Sequence, residues 1–126
     1  MKVFSFIDDI AELKKNESVT ASYTLKGNEE FLEDHFQDFP VMPGVLMLES
    51  LKQAASVLLS ATFGRDSSTY RMASVEEARF GQFVRPGNAL KILVRLVKTE
   101  NSTYYFDGRA DLSSGGKALT AVFCLI

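Results

Sequence analysis

Between Pro43 and Gly64 the chain carries a run with few ways to fold. Leucine, valine, alanine and methionine fill most of it, and Glu49 and Lys52 are its only charged side chains. Proline at the first turn and glycine just past the last are the usual punctuation of a helix. The pattern predicts a helix of about 19 residues, roughly 28 Å long at 1.5 Å per residue. A rod this apolar on nearly every side needs cover from the rest of the chain. It is expected to be a central helix.

The material around it reads as strand. Val19, Ala21, Tyr23 and Leu25 alternate through Ser18–Lys26, the period of a half-buried strand. After the helix, Tyr70–Phe80, Ala89–Thr99, Thr103–Asp111 and Lys117–Ile126 are strand-like. They are separated by Arg85-Pro86-Gly87-Asn88, Glu100-Asn101-Ser102 and Ser113-Ser114-Gly115-Gly116, all of which is turn chemistry. The expectation is a meander of these four strands, with one strand before the helix. Phe4, Ile7, Ile10, Ala11 and Leu13 are spaced to suit a short opening helix or capping turn. Residues 27–43 read as a loop rich in acidic and aromatic residues. One helix plus consecutive strands predicts an α+β fold, with a curved antiparallel sheet wrapped around the helix. At 126 residues, a single domain over 1–126 is expected.

Charge and cysteine content narrow the function. Fourteen basic against sixteen acidic residues give a net charge of −2, which argues against a nucleic-acid partner. Residues 1–38 carry 4 basic and 9 acidic side chains, whereas residues 39–126 carry 10 and 7. That imbalance is either solvated surface or a basic region that meets an acidic protein. Cys124 is the sole cysteine, flanked by Phe123 and Leu125, so it reads as a buried thiol with no internal disulfide. A lone histidine and a lone cysteine do not suggest a transition-metal site. The chain shows no basic n-region followed by an apolar run, and its longest apolar stretch is broken by Glu49, Lys52 and Gln53. No signal peptide, no membrane partner and a cytoplasmic setting are the expectations.

Two residues stand out chemically. His35, the only histidine, lies in the loop before the helix, either as a surface residue or as the one imidazole available for catalysis. Glu49 falls about two turns into a nearly apolar helix. On a 3.6-residue period it shares a stripe with Gln53, Ser56 and Ser60. That stripe is either a modest solvated face or a pocket in which Gln53 orients a functional carboxylate.

The run His35-Phe36-Gln37-Asp38-Phe39-Pro40-Val41-Met42-Pro43-Gly44-Val45-Leu46-Met47-Leu48-Glu49, with Gln53 four residues on, resembles the signature of the FabZ family of 3-hydroxyacyl-acyl-carrier-protein dehydratases. Val75–Phe80 and Val84-Arg85-Pro86-Gly87 are similar to the family's third-strand segment and the turn after it. Gln37 stands where the family usually has proline, Asp34 where it often has glycine, and Phe39 where a small or basic residue is common.

The resemblance implies a hot-dog fold and the dehydration of 3-hydroxyacyl thioesters to trans-2-enoyl thioesters. It implies His35 as base at C2 and Glu49, carrying its proton, as acid toward the 3-hydroxyl. Glutamate at position 49 favours the FabZ type over the FabA type, which also moves the double bond. Substrate contacts are expected from Gly44, Val45, Gln53, Phe36 and Met42. The N–H groups of Gly44 or Val45 at the helix N-terminus would meet the thioester oxygen. The acyl group rides on the phosphopantetheine of an acyl carrier protein, so no resident cofactor or metal is implied. Arg79 and Arg85 are expected to steer that acidic partner. In the family, the histidine and glutamate of one site come from two subunits whose sheets join edge to edge, so a homodimer or trimer of dimers is expected. A hot-dog acyl thioesterase and a non-catalytic acyl-binding protein are the alternatives.

Overall fold

Pro43 turns the extended chain into a helix, and Gly64 ends it. In the computed structural model, which describes residues 5–29 and 41–126, helix α1 runs Gly44–Phe63. Gly64 adopts the left-handed conformation at φ 82°, and its N–H closes the last turn on Ser60 O at 2.8 Å. The six strands are β1 (Asp9–Lys14), β2 (Ser18–Thr24), β3 (Met72–Phe80), β4 (Ala89–Glu100), β5 (Thr103–Leu112) and β6 (Lys117–Leu125). They form one antiparallel sheet in the order β1-β2-β4-β5-β6-β3. The sheet and the helix laid across it make the α+β arrangement that the sequence pattern predicts and the hot-dog fold that the resemblance implies.

Alternation puts one side of every central strand against α1. Val19, Ala21 and Tyr23 of β2, Leu90, Ile92 and Val94 of β4, and Phe106 and Ala110 of β5 are buried. They meet Met47, Leu51, Ala54, Ala55, Leu58 and Leu59 of the helix in one core. Helix and sheet come close together at Gly108 of β5. A Cβ there would stand 3.3 Å from Leu51 Cδ1 and 3.2 Å from Phe123 Cε1. Register shifts in the β1–β2, β3–β6, β4–β5 and β5–β6 ladders mark bulges or irregularities, which bend and twist a sheet.

Three features differ from the sequence reading. The opening segment is not a helix: residues 9–14 are β1, so among the described residues two strands precede α1. An isolated helix of about ten residues is marginal in water, whereas pairing with β2 satisfies backbone groups on both strands. The turn Lys15–Glu17 makes that pairing possible, with Asn16 at φ 62° in the left-handed region that asparagine tolerates. The meander covers only β4, β5 and β6. β3 lies at the far edge beside β6, from Met72↔Leu125 to Phe80↔Leu119. Residues 81–88 therefore cross from one edge to the middle of the sheet. Along the way Gly87 N–H donates to Leu25 O at 2.7 Å, and Leu25 N–H donates to Asn88 O at 3.0 Å.

Cys124 is buried as expected, with its sulfur 3.1 Å from Ser74 Oγ. Among the described residues, no helix is long and apolar enough to cross a membrane.

Leu51 is fully buried at the helix–sheet crossing. Leu51→Ala is expected to lower the unfolding free energy by roughly 2–5 kcal/mol. Urea unfolding checks this, and a loss below about 1 kcal/mol would show that the crossing is not a main support.

Candidate functional site

The helix start is built for close approach. The first helical bonds run from Leu46 N–H and Met47 N–H to Pro43 O, at 3.0 and 3.3 Å. Gly44 and Val45 belong to the first turn, whose N–H groups have no acceptor inside a helix and sit at its positive end. A Cβ on Gly44 would lie 2.7 Å from Phe80 Cε1, so glycine lets the ring at the end of β3 rest against the helix start. Val45 is 70% exposed. Phe80 was not singled out in the sequence, because only the β3–β6 register brings it beside a residue 36 positions earlier.

Glu49 is half-buried on α1, and Gln53 Nε2 donates to its Oε1 at 3.3 Å. Gln53 Oε1 accepts the main-chain N–H of Phe6 at 2.7 Å. One turn further, Ser56 is 3% exposed and its hydroxyl donates to Lys52 O at 2.8 Å. Ser60 is half-buried. The stripe through Glu49 is therefore not a plain solvated face. It is partly covered, and the side chains of Glu49, Gln53 and Ser56 have partners within the chain.

The chain enters residues 30–40 from a turn organised by Glu29. Its carboxylate accepts Gly27 N–H at 2.8 Å, Lys26 N–H at 3.0 Å and the Tyr23 hydroxyl at 2.9 Å. Burial pushes the Glu29 carboxyl up, but the two N–H groups and the phenol outweigh it and hold it below its ordinary value. Tyr23 moves the other way. Burial first, then the bond to Glu29 and the Glu29 charge, raise its phenol well above the usual range. Gly27 has φ 106°, and a Cβ there would come 3.3 Å from Pro86 Cβ, so this turn also packs on the 81–88 crossing. His35 and Phe36 lie outside the described residues.

The remaining expected contacts separate. Met42 is 2% exposed and part of the core, with its N–H bonded to Val84 O at 2.9 Å. That bond places Arg85, exposed on the turn that follows, beside the chain leading into α1. Arg79 is elsewhere. It pairs with Thr120 of β6 and, with Glu77, Asp107 and Thr120, lines a shallow depression of about 260 Å³. Those side chains alternate with the buried, helix-facing ones, so Arg79 lies on the outer face of the sheet, away from Glu49. The two arginines do not share one mouth.

Similarity to known proteins agrees with this architecture. The family model described as the FabA-like domain matches residues 1–122. A 3-hydroxyacyl-[acyl-carrier-protein] dehydratase FabZ from Levilactobacillus brevis is 40% identical over 97 residues, 77% of this chain and 66% of that protein. One from Polynucleobacter asymbioticus is 33% identical over 123 residues, 98% of this chain and 83% of that one. The chain thus spans just under two thirds of the length of the Lactobacillus-type relatives. Among solved structures, a Streptococcus mutans protein bound to acetyl CoA superposes with a TM-score of 0.73 at 16% identity, covering 100% of this chain and 91% of that one. The dehydratase heterocomplex ApeI:P from Xenorhabdus doucetiae gives 0.68 at 18% identity, covering 90% and 91%. Those two likenesses speak for the fold alone. With the family model matched over nearly the whole chain and relatives 40% and 33% identical over 77% and 98% of it, the protein belongs to the FabA-like dehydratase family.

Proposed function

We propose that this protein removes water from 3-hydroxyacyl groups carried on an acyl carrier protein, giving trans-2-enoyl thioesters in fatty-acid or related acyl synthesis. The observation that carries the reading is a partly covered carboxylate, Glu49, oriented by Gln53 on a helix opened by Pro43-Gly44-Val45, in a chain of the FabA-like family. His35 takes the C2 proton. Glu49 protonates the 3-hydroxyl, the C3–O bond breaks, and water leaves as the C2=C3 bond forms. The Gly44 or Val45 N–H receives the charge that builds on the thioester oxygen. Phe36 and Gln53 complete the substrate contacts, whereas Met42 belongs to the core beneath them. The phosphopantetheine arm is part of the substrate, and no resident cofactor or metal is needed for this chemistry.

The working unit is a dimer, alone or as a trimer of dimers. In the FabZ family that the sequence resembles, the histidine and glutamate of one site come from two subunits, and in this reading His35 of a second, antiparallel copy joins Glu49, which sits six residues into α1. β3 supports that arrangement. It is an edge strand whose residues from Ala73 to Phe80 are all exposed, Phe80 at 51%. The lone thiol Cys124 suits a reducing, cytoplasmic setting. Neither nucleic acid nor membrane is a partner in this reading. Arg85, near the chain entering α1, offers positive charge to the acidic carrier, and Arg79, on the outer face, is left out of that contact.

The direct test is incubation with 3-hydroxyacyl carrier-protein substrates of several lengths, following the enoyl product. His35→Ala and Glu49→Gln should each lose roughly 10²–10⁴-fold in turnover while staying folded. More than a tenth of wild-type turnover in either variant would remove that residue from the mechanism. Mixing the two variants under conditions of subunit exchange should restore activity toward about a quarter of wild type, because half the dimers are mixed and each holds one intact site of two. No recovery after proven exchange would place both residues of a site on one chain. Arg85→Glu should raise KM for the carrier-bound substrate, less so at high salt, and leave a short pantetheine thioester nearly unaffected. Equal loss on both substrates would make Arg85 structural.

A further inference from the structure

Gln53 makes two opposite hydrogen bonds, and together they fix its orientation. A main-chain N–H can only donate, so the end of the Gln53 amide that faces Phe6 N–H is its oxygen, at 2.7 Å. The nitrogen end is then turned along the helix, where it donates to Glu49 Oε1 at 3.3 Å. The Phe6 bond opposes the flip that would present an oxygen to the carboxyl group instead.

Phe6 is itself firmly held. Its ring is 7% exposed and stands edge-on to Tyr23 with 6.0 Å between centroids. Ser5 Oγ donates to Ile7 O at 2.9 Å. Asp8 N–H donates to Ser22 O at 2.7 Å, and the Asp8 carboxylate accepts Thr24 N–H at 2.7 Å and lies 3.3 Å from Lys26 Nζ. The segment Ser5–Asp8 is therefore anchored on β2, and through Phe6 it reaches across to α1.

We infer that Ser5–Asp8 is a positioning strap for Glu49, with the Phe6 N–H locking the Gln53 amide so that Glu49 Oε1 receives an N–H and Oε2 carries the reactive proton. In a protonated carboxyl the carbonyl-type oxygen is the better acceptor for an N–H, which favours the proton on the other oxygen. That proton passes from Oε2 to the 3-hydroxyl oxygen, which leaves as water. The electrons of the C2–H bond form the double bond, and the C2 proton ends on the base. The proton's role rests on the dehydratase reading, whereas the orientation of Glu49 does not. Phe6 and Gln53 act here as positioning residues.

The experiment compares Phe6→Pro with Phe6→Ala. Both lose the ring, but only the proline variant loses the N–H. Two sets of readouts are taken on the full chain at one fixed pH. The first is the ¹³C resonance of the Glu49 side-chain carboxyl and the side-chain amide resonances of Gln53. The second is kcat and KM for 3-hydroxyacyl-thioester dehydration. The resonances of both residues should move in Phe6→Pro relative to Phe6→Ala, with kcat lower by about tenfold and KM within about twofold. Identical resonances and rates in the two variants would overturn the strap. Should Phe6→Pro fail to fold, Gln53→Met, similar in size but lacking both amide ends, must show the same movement at Glu49 and the same fall in kcat against wild type. An unmoved Glu49 there overturns the proposal equally. Resonances that respond as expected in a protein inactive on every chain length would support the strap and overturn the dehydratase reading.

Discussion

Leu51 of α1 lies over Gly108 of β5, where a side chain larger than hydrogen would crowd Leu51 and Phe123. Burying a leucine completely is worth about 1.5–3 kcal/mol, but here the location matters as much as the amount. The helix can approach the sheet this closely only where β5 has no Cβ. That seat sets the rotation of α1. Glu49, two residues earlier, is turned about 200° away from Leu51 at roughly 100° per residue. The same contact that seals the core therefore turns the candidate acid away from the sheet, toward the side where Gln53, itself bonded to Phe6, meets it.

Polar groups at the site are arranged by segments far apart in sequence. The Phe6 ring packs on Tyr23, whose hydroxyl binds Glu29 at the turn before residues 30–40. The Phe6 N–H reaches Gln53, and Gln53 reaches Glu49. One short stretch beside β1 thus touches both the helix that carries Glu49 and the turn that leads toward His35. Each of these groups would be costly to leave unpaired at partial burial, so the links support one another.

The two edges of the sheet are treated differently. β1 closes one side with a tight turn and a bulged pairing to β2, and its residues are mostly exposed. β3 pairs only with β6 among the described residues, yet it is long and carries the exposed apolar side chains Val75 and Phe80. A long apolar edge is a liability in an isolated chain and an asset in an assembly. The position of Phe80 against Gly44 ties that edge to the helix start, so whatever covers β3 also borders the site.

Much of this was legible in one dimension. The helix could be read to within a residue at each end because proline and glycine act locally on φ and on the N–H supply. β2 and β4–β6 could be read because period-two burial is a property of the strand itself, and the run from His35 through Glu49 to Gln53 carried the family resemblance. Tertiary structure alone decided the rest. Whether Phe4–Leu13 became helix or strand depended on β2 having an edge to fill, and neither propensity nor spacing encodes that. The place of β3 beside β6 depended on a crossing over the end of the sheet, although its turn residues look like those of a hairpin. Arg79 and Arg85, six residues apart, were separated by strand alternation and by that crossing. The partner of Gln53 was a backbone N–H, a group every residue but proline possesses, so only the folded chain could select Phe6 to supply it.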